Sequence, residues 1–190
     1  MQIRKCIVAA CWLSIAGALT VNAVELMSKE QALKRMFLTA ESVTEETKTL
    51  TSGQLDNVKS SLGGKLWALK TPQGVKEDTY TFYFGMKGGQ KYSVAVIEEQ
   101  EDKWGPMEFI VVLDPVTGKV TNAAMMKYVD GRSRNLANRA FLKVFFNKGS
   151  DDPIAIGKDI NAVSGATVSS EILCFMVKKS CAVYKAAYLK

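Results

Sequence analysis

The sequence predicts an α+β domain: an antiparallel sheet of about five strands with helices packed on it, the last helix starting at a run of small and hydroxyl residues. Two patterns predict this. Apolar residues recur at helical spacing near both ends of the chain, and β-rich segments parted by Gly and Pro turns fill the middle. The length sets the scale, since 190 residues hold one ordinary domain and not comfortably two. Apolar residues make up 47% of the chain and charged ones 23%. That balance argues against disorder, a fibrous repeat or a multi-span membrane protein.

Ser28-Lys29-Glu30-Gln31 is a capping-box pattern, and Ala32, Leu33, Met36 and Phe37 follow at helical spacing, so a short helix should end near Leu38. Residues 39–50 are polar and rich in Thr and Glu, and read as an extended or irregular link. Thr51 or Ser52 can cap a second helix with Leu55, Val58 and Leu62 on its buried face and Gly63-Gly64 as its stop. Residues 65–70 form a short candidate strand. Residues 79–86 and 91–98 are β-rich around a turn at Gly88-Gly89, and 109–113 is another strand. Asp114-Pro115-Val116-Thr117-Gly118 supplies a tight reversal, and 119–126 returns from it. Residues 132–147, with Leu136, Ala140, Leu142 and Val144, predict a helix of modest length. A last helix should run from Gly165 or Ala166 to about Ala187, with Ile172, Phe175, Met176 and Val183 as its buried stripe.

Arg4 and Lys5 precede an uncharged run from Cys6 to Val24, and Val21-Asn22-Ala23 offers small residues at a cleavage site. The first expectation is a secretory signal removed after Ala23, leaving a domain of residues 24–190. An uncleaved anchor over residues 6–24 and a lipoprotein site at Val8-Ala9-Ala10-Cys11 are the alternatives; each puts the folded part outside the cytoplasm. Loss of Arg4 and Lys5 lowers the net charge from +6 to +4. No run of five or six like charges appears, so nucleic-acid binding has little support. Cys174 and Cys181 share one predicted helix. Seven residues rise about 10 Å, too far for a disulfide, so they read as small core residues. The chain has no histidine, which removes His-ligated metals, a His base and any Ser-His or Cys-His nucleophile pair. No acid pair stands out, and no catalytic or metal-binding residues are expected.

The chemistry-bearing stretch is Asn161-Ala162-Val163-Ser164-Gly165-Ala166-Thr167-Val168-Ser169-Ser170, placed where the last helix begins. A helix N-terminus offers unpaired N–H groups and the positive end of a dipole, which suit a phosphate. Gly165 and Ala166 let a bulky anion approach the backbone, and Ser164, Thr167, Ser169 and Ser170 add hydroxyls. A phosphate esterified to one of these hydroxyls could be held by the same N–H groups. Taken alone, Ser-Gly-Ala-Thr also reads as a simple helix cap with a tight turn.

Further segments sharpen this reading: Lys103-Trp104-Gly105-Pro106-Met107, Leu113-Asp114-Pro115 with Gly118-Lys119-Val120, and Phe141-Leu142 ahead of Lys148-Gly149. With Ile160 to Ser170 they resemble the extracytoplasmic FMN-binding domain. That family is found in the flavin subunits of sodium-pumping NADH:quinone reductase and the related Rnf complex, and in small stand-alone proteins. The resemblance spans about residues 29–184. It implies that Thr167, the threonine of the Ser/Thr-Gly-Ala-Thr core, carries covalent FMN through a phosphoester installed by a separate flavin transferase. It implies an electron carrier whose redox partner is a membrane electron-transport complex, a cytochrome or a flavin reductase. Trp104 and Met107 would then pack on the isoalloxazine, or else serve as turn and packing residues. Arg132, Arg134, Arg139 and Lys158 could balance the phosphate charge, or simply form a solvated face. One departure stands out: the family commonly has Asp six residues before the acceptor, where this chain has Asn161, with Asp159 two positions early. A non-covalent FMN reductase and a flavin-free secreted module are the alternative functions. If cleavage follows Ala23, N-terminal sequencing of the exported protein should begin at Val24; recovery of residues 1–23 in a membrane fraction would refute it.

Overall fold

The computed structural model describes residues 23–189. The signal or anchor segment, with Cys6 and Cys11, lies outside the described residues. Among the described residues no helix is long and apolar enough to cross a membrane. Six strands form one antiparallel sheet: β1 Val24–Glu25, β2 Ser42–Thr49, β3 Thr79–Lys87, β4 Gln90–Asp102, β5 Gly105–Leu113 and β6 Val120–Tyr128, in the order β1-β6-β5-β4-β3-β2. The helices are α1 Lys29–Met36, α2 Ser52–Ser61, the single turn α3 Arg139–Leu142, and α4 Thr167–Tyr188.

Local sequence explains most boundaries. The capping box at Ser28 forms as expected, with Ser28 Oγ accepting from Gln31 N–H and Gln31 Oε1 accepting from Ser28 N–H. Thr51 and Gln54 repeat the arrangement ahead of α2. Asp114 Oδ1 accepts from the N–H groups of Val116 and Thr117 and from the Thr117 hydroxyl, which closes the β5–β6 reversal.

Three expectations are corrected. Residues 39–50 are not a link, for Ser42–Thr49 pairs along its whole length with β3. This edge strand is exposed on both faces, so it lacks the alternation that marks a half-buried strand. Residues 65–70 join no ladder. Their one strand-like donor, Ala68 N–H, goes to the side chain of Gln100 at 2.9 Å rather than to a neighbouring backbone. Residues 132–147 break into a 3-10 segment, the single turn α3 and a second 3-10 turn. Asn138 interrupts them with extended backbone (ψ 127°) and restarts the chain by accepting from Ala140 N–H. Asn147, in the left-handed region at φ 64°, ends the run.

Apolar packing lies on both faces of the sheet. The larger cluster packs α2, α4 and the 136–145 turns on Phe82, Phe84, Val94, Phe109 and Val111. The smaller one seats Ala32 and Phe37 on Tyr83, Ala95, Ile110 and Ala124. Cys174 and Cys181 are free and buried on the unbroken α4, where burial pushes both thiols up to about 12. Phe175, expected on the buried stripe, is only half-buried; Ile172, Met176 and Val183 are fully buried.

The β4–β5 hairpin turns on Lys103 and Trp104, with Asp102 opposite Gly105. Gly105 sits at φ 139°, and a Cβ there would lie 2.8 Å from Val129 Cγ2. Replacement of Gly105 by Ala should therefore lower stability by about 2 kcal/mol through strain and overpacking. Urea unfolding checks this; an unchanged midpoint would contradict it.

Candidate functional site

The site is built around the entry to α4. Residues 163–166 make a tight turn closed by Ala166 N–H donating to Val163 C=O at 3.0 Å. Gly165 is the third residue of that turn and sits at φ 78°, as a type II turn asks of this position. The helix then starts with Ala166 at the N-cap and no side-chain cap. The simple-cap reading of Ser-Gly-Ala-Thr therefore does not describe this end: neither Ser164 nor Thr167 closes it. No side chain caps the first-turn N–H groups.

The hydroxyls of the motif divide sharply. Ser170 is buried. Its Oγ donates to Ala166 C=O at 2.8 Å and accepts from Val163 N–H at 3.1 Å. Ser169 is also buried, with Oγ donating to Asp102 Oδ2 at 2.5 Å and accepting from Ser133 Oγ at 3.0 Å. Both hydroxyls hold the turn in place. Thr167, at the first helical position, is exposed, as are Ser164 and Gly165; Ala166 is buried. Of the three hydroxyl residues in the first turns of α4, only Thr167 is exposed.

Asp102 is 67 positions from Ser169 in sequence and arrives at the end of β4. It also accepts from Lys103 N–H at 2.6 Å, so the hairpin turn and the first turn of α4 are tied to one buried carboxylate. Neither its spacing nor its neighbours in sequence point to this role.

Beside α4 lies a cleft of about 690 Å³ lined by Ala68, Leu69, Lys70, Glu101, Asp102, Lys103, Gly105 and Val168. Leu69 and Val168 present exposed apolar surface into this region, and Lys70 and Lys103 are its cations. Trp104, between two of the lining residues, is 48% exposed. Its ring lies 5.1 Å from Lys103 Nζ and 5.5 Å from the Arg132 guanidinium carbon. Met107 is in the core at 1% exposure and does not line the cleft. Leu69, Lys70 and Asp102 were not legible as site residues from sequence, because the irregular segment and the hairpin meet only in the fold.

The cations separate into groups. Arg132 and Arg134 flank Ser133, so both stand on the turn that is hydrogen-bonded to the first turn of α4; Arg132 also pairs with Asp130 at 2.9 Å. Arg139 is exposed on α3. Lys158 lines a separate cleft with Glu171, Phe175 and Lys178. Asn161 is exposed at the start of the motif loop. Asp159 does not stand in for a carboxylate there. It accepts from Lys148 Nζ at 2.8 Å, Ile154 N–H at 3.2 Å and Ala155 N–H at 2.9 Å, bracing the loop before the motif.

Residues 102–182 match the family described as the FMN-binding domain, a span that begins at Asp102 and includes Thr167. The crystal structure of Shewanella oneidensis NqrC is similar, with a TM-score of 0.51 at 14% identity, covering 78% of this chain and 81% of that one. At that identity the likeness is one of fold. No curated protein matches the chain.

The Asp159 brace gives a pH prediction. Burial opposes its charge, yet the hydrogen bonds from Lys148 and the two backbone N–H groups outweigh burial and hold its carboxyl below the ordinary 3.8. A depressed folded-state pKa stabilises above the unfolded value and fades as pH falls through the folded one. Asp159→Asn should therefore cost stability at pH 6, and the deficit should shrink below about pH 4. Urea midpoints of the two proteins at pH 6 and pH 3 test it; an equal deficit at both would contradict the assignment.

Proposed function

We propose that this chain, whose residues 102–182 match the FMN-binding domain family, carries FMN joined by a phosphoester to the Thr167 hydroxyl and serves as an extracytoplasmic electron carrier. The observation that carries the reading is the division of hydroxyls at α4, which leaves Thr167 outward and locks Ser169 and Ser170 inward.

The residues fit the group. The uncapped helix end places N–H donors and a positive dipole beside the Thr167 hydroxyl, where a phosphate diester would sit. Lys70 and Lys103 line the adjoining cleft and offset the phosphate charge. A volume of about 690 Å³ lies within the range of small-ligand clefts. Leu69 and Val168 give it apolar walls that limit water. FMN bound there would supply one- and two-electron transfer, and the protein's part is to anchor, orient and tune it. Trp104, between the lining residues Lys103 and Gly105, is exposed, whereas Met107 is buried in the core and is not a flavin contact in this reading.

A separate flavin transferase is the expected installer. Its redox partner is of the kind the family serves, a membrane electron-transport complex, with a cytochrome or a flavin reductase as alternatives. The extracytoplasmic assignment rests on the N-terminal segment: cleavage after Ala23 would leave Val24, the first residue of β1, as the new terminus. Asn161 favours a second reading, FMN bound without a covalent bond, because the carboxylate common at that place is missing and Asp159 is engaged elsewhere.

Two measurements separate these readings. In cells that co-express the transferase, in-gel flavin fluorescence under denaturing conditions should be strong and fall to background in Thr167→Val; fluorescence unchanged in the variant rules out this acceptor. Asn161→Asp should raise the initial rate of flavin incorporation several-fold. A rate no different from that of the unmodified sequence would show that the carboxylate is dispensable.

A further inference from the structure

The irregular segment 65–70 crosses the outer edge of β4 and divides two clefts. On one side Leu66 and Trp67, with residues 98–101, line a cleft of about 390 Å³. On the other, Ala68, Leu69 and Lys70, with residues 101–103, Gly105 and Val168, line the cleft next to the start of α4, here called the cleft beside Thr167. Loop segments of this kind have no ladder to place them, so what positions residues 68–70 is a question of side chains.

Three buried polar groups answer it. Ala68 N–H donates to Gln100 Oε1 at 2.9 Å, and Gln100 Nε2 donates to Glu98 Oε1 at 2.8 Å. Glu98 pairs with Lys179 Nζ from α4. Gln100 is 1% exposed, Lys179 3% and Glu98 6%. The Lys179 ammonium also lies 4.3 Å from the centre of the Trp67 ring. Burying three polar side chains in an apolar core is unfavourable unless each is partnered. The chain Lys179–Glu98–Gln100–Ala68 partners them in series, and its last link is the backbone of the segment itself.

We propose that Gln100 is a positioning residue for the cleft beside Thr167: held by Glu98 and Lys179, it clips the segment 65–70 through Ala68 and so fixes where Leu69 and Lys70 stand. Leu69 supplies an apolar wall and Lys70 one of the two cations of that cleft. The inference rests on the flavin reading for what the cleft holds, and on the hydrogen bonds alone for the clip. Its consequence is local. Loss of the clip frees residues 68–70 while Trp67 keeps its own contact with Lys179.

The test uses the flavinylated full chain. Gln100→Leu should still carry FMN at Thr167 by peptide mass, yet iodide should quench its flavin fluorescence at least twice as effectively. Its flavin potential should also move negative as the Lys70 charge withdraws. Val58→Ala, a core truncation under α2, should lower the melting temperature with neither change. In the unmutated protein, amide exchange at Ala68 should be at least tenfold slower than at Leu69 and Lys70. Quenching and potential unchanged in Gln100→Leu overturn the proposal. If that variant does not fold, an Ala68 amide that exchanges as fast as its neighbours overturns it. A bare Thr167 in the unmutated protein overturns the flavin reading and the cleft's role with it, and the Ala68 amide then decides the clip alone.

Discussion

The function proposed for this chain depends on how it enters α4. A helix N-terminus is ordinarily capped by a Ser, Thr, Asp or Asn at the N-cap position. Here that position is Ala166, which has no side-chain acceptor, and the hydroxyls of Ser169 and Ser170 are used elsewhere. Ser170 closes the preceding turn from both sides, and Ser169 is held by Asp102 and Ser133. The positive φ at Gly165 is what lets the chain reverse tightly enough for this. The result is a helix end without a side-chain cap and with one exposed hydroxyl residue, Thr167, an arrangement that suits the phosphoester proposed here.

The sheet contributes by bringing distant residues to that point. β4 and β5 extend as a long hairpin past the end of β3 pairing, which stops at Phe82 and Val96. Beyond that point the outer edge of β4 is free to receive the segment 65–70, and the tip of the hairpin reaches the first turn of α4 through Asp102. The cleft beside Thr167 therefore has three independent walls: an irregular segment, a hairpin and a helix. Each is fixed by a buried polar contact rather than by apolar packing alone, and such contacts specify geometry because leaving one unmade is so unfavourable.

The helices and the central strands were legible because their signals are local: two capping boxes, an Asp-Pro-x-x-Gly reversal and runs such as Phe109 to Leu113. The motif itself was legible through its small and hydroxyl residues and through the family resemblance. What escaped were features without periodicity. The edge strand Ser42–Thr49 is polar on both faces and looks like a link. The Leu66 to Lys70 segment has the composition of a strand but a side-chain tether in place of a ladder. Asp102 and Gln100 look like ordinary strand-end residues, and their roles arise from contacts made across 67 and 32 positions. Without the resemblance, the motif's hydroxyls could not be told apart, since the burial of Ser169 and Ser170 and the exposure of Thr167 arise only in the fold.

The central claim is a single covalent bond, and the most direct measurement is mass mapping of the peptide that contains residues 161–170, taken from cells that make the transferase and riboflavin. The account predicts that this peptide carries one FMN moiety and that fragmentation places it on Thr167. Recovery of the peptide unmodified, or with the added mass on Ser164, Ser169 or Ser170, contradicts it.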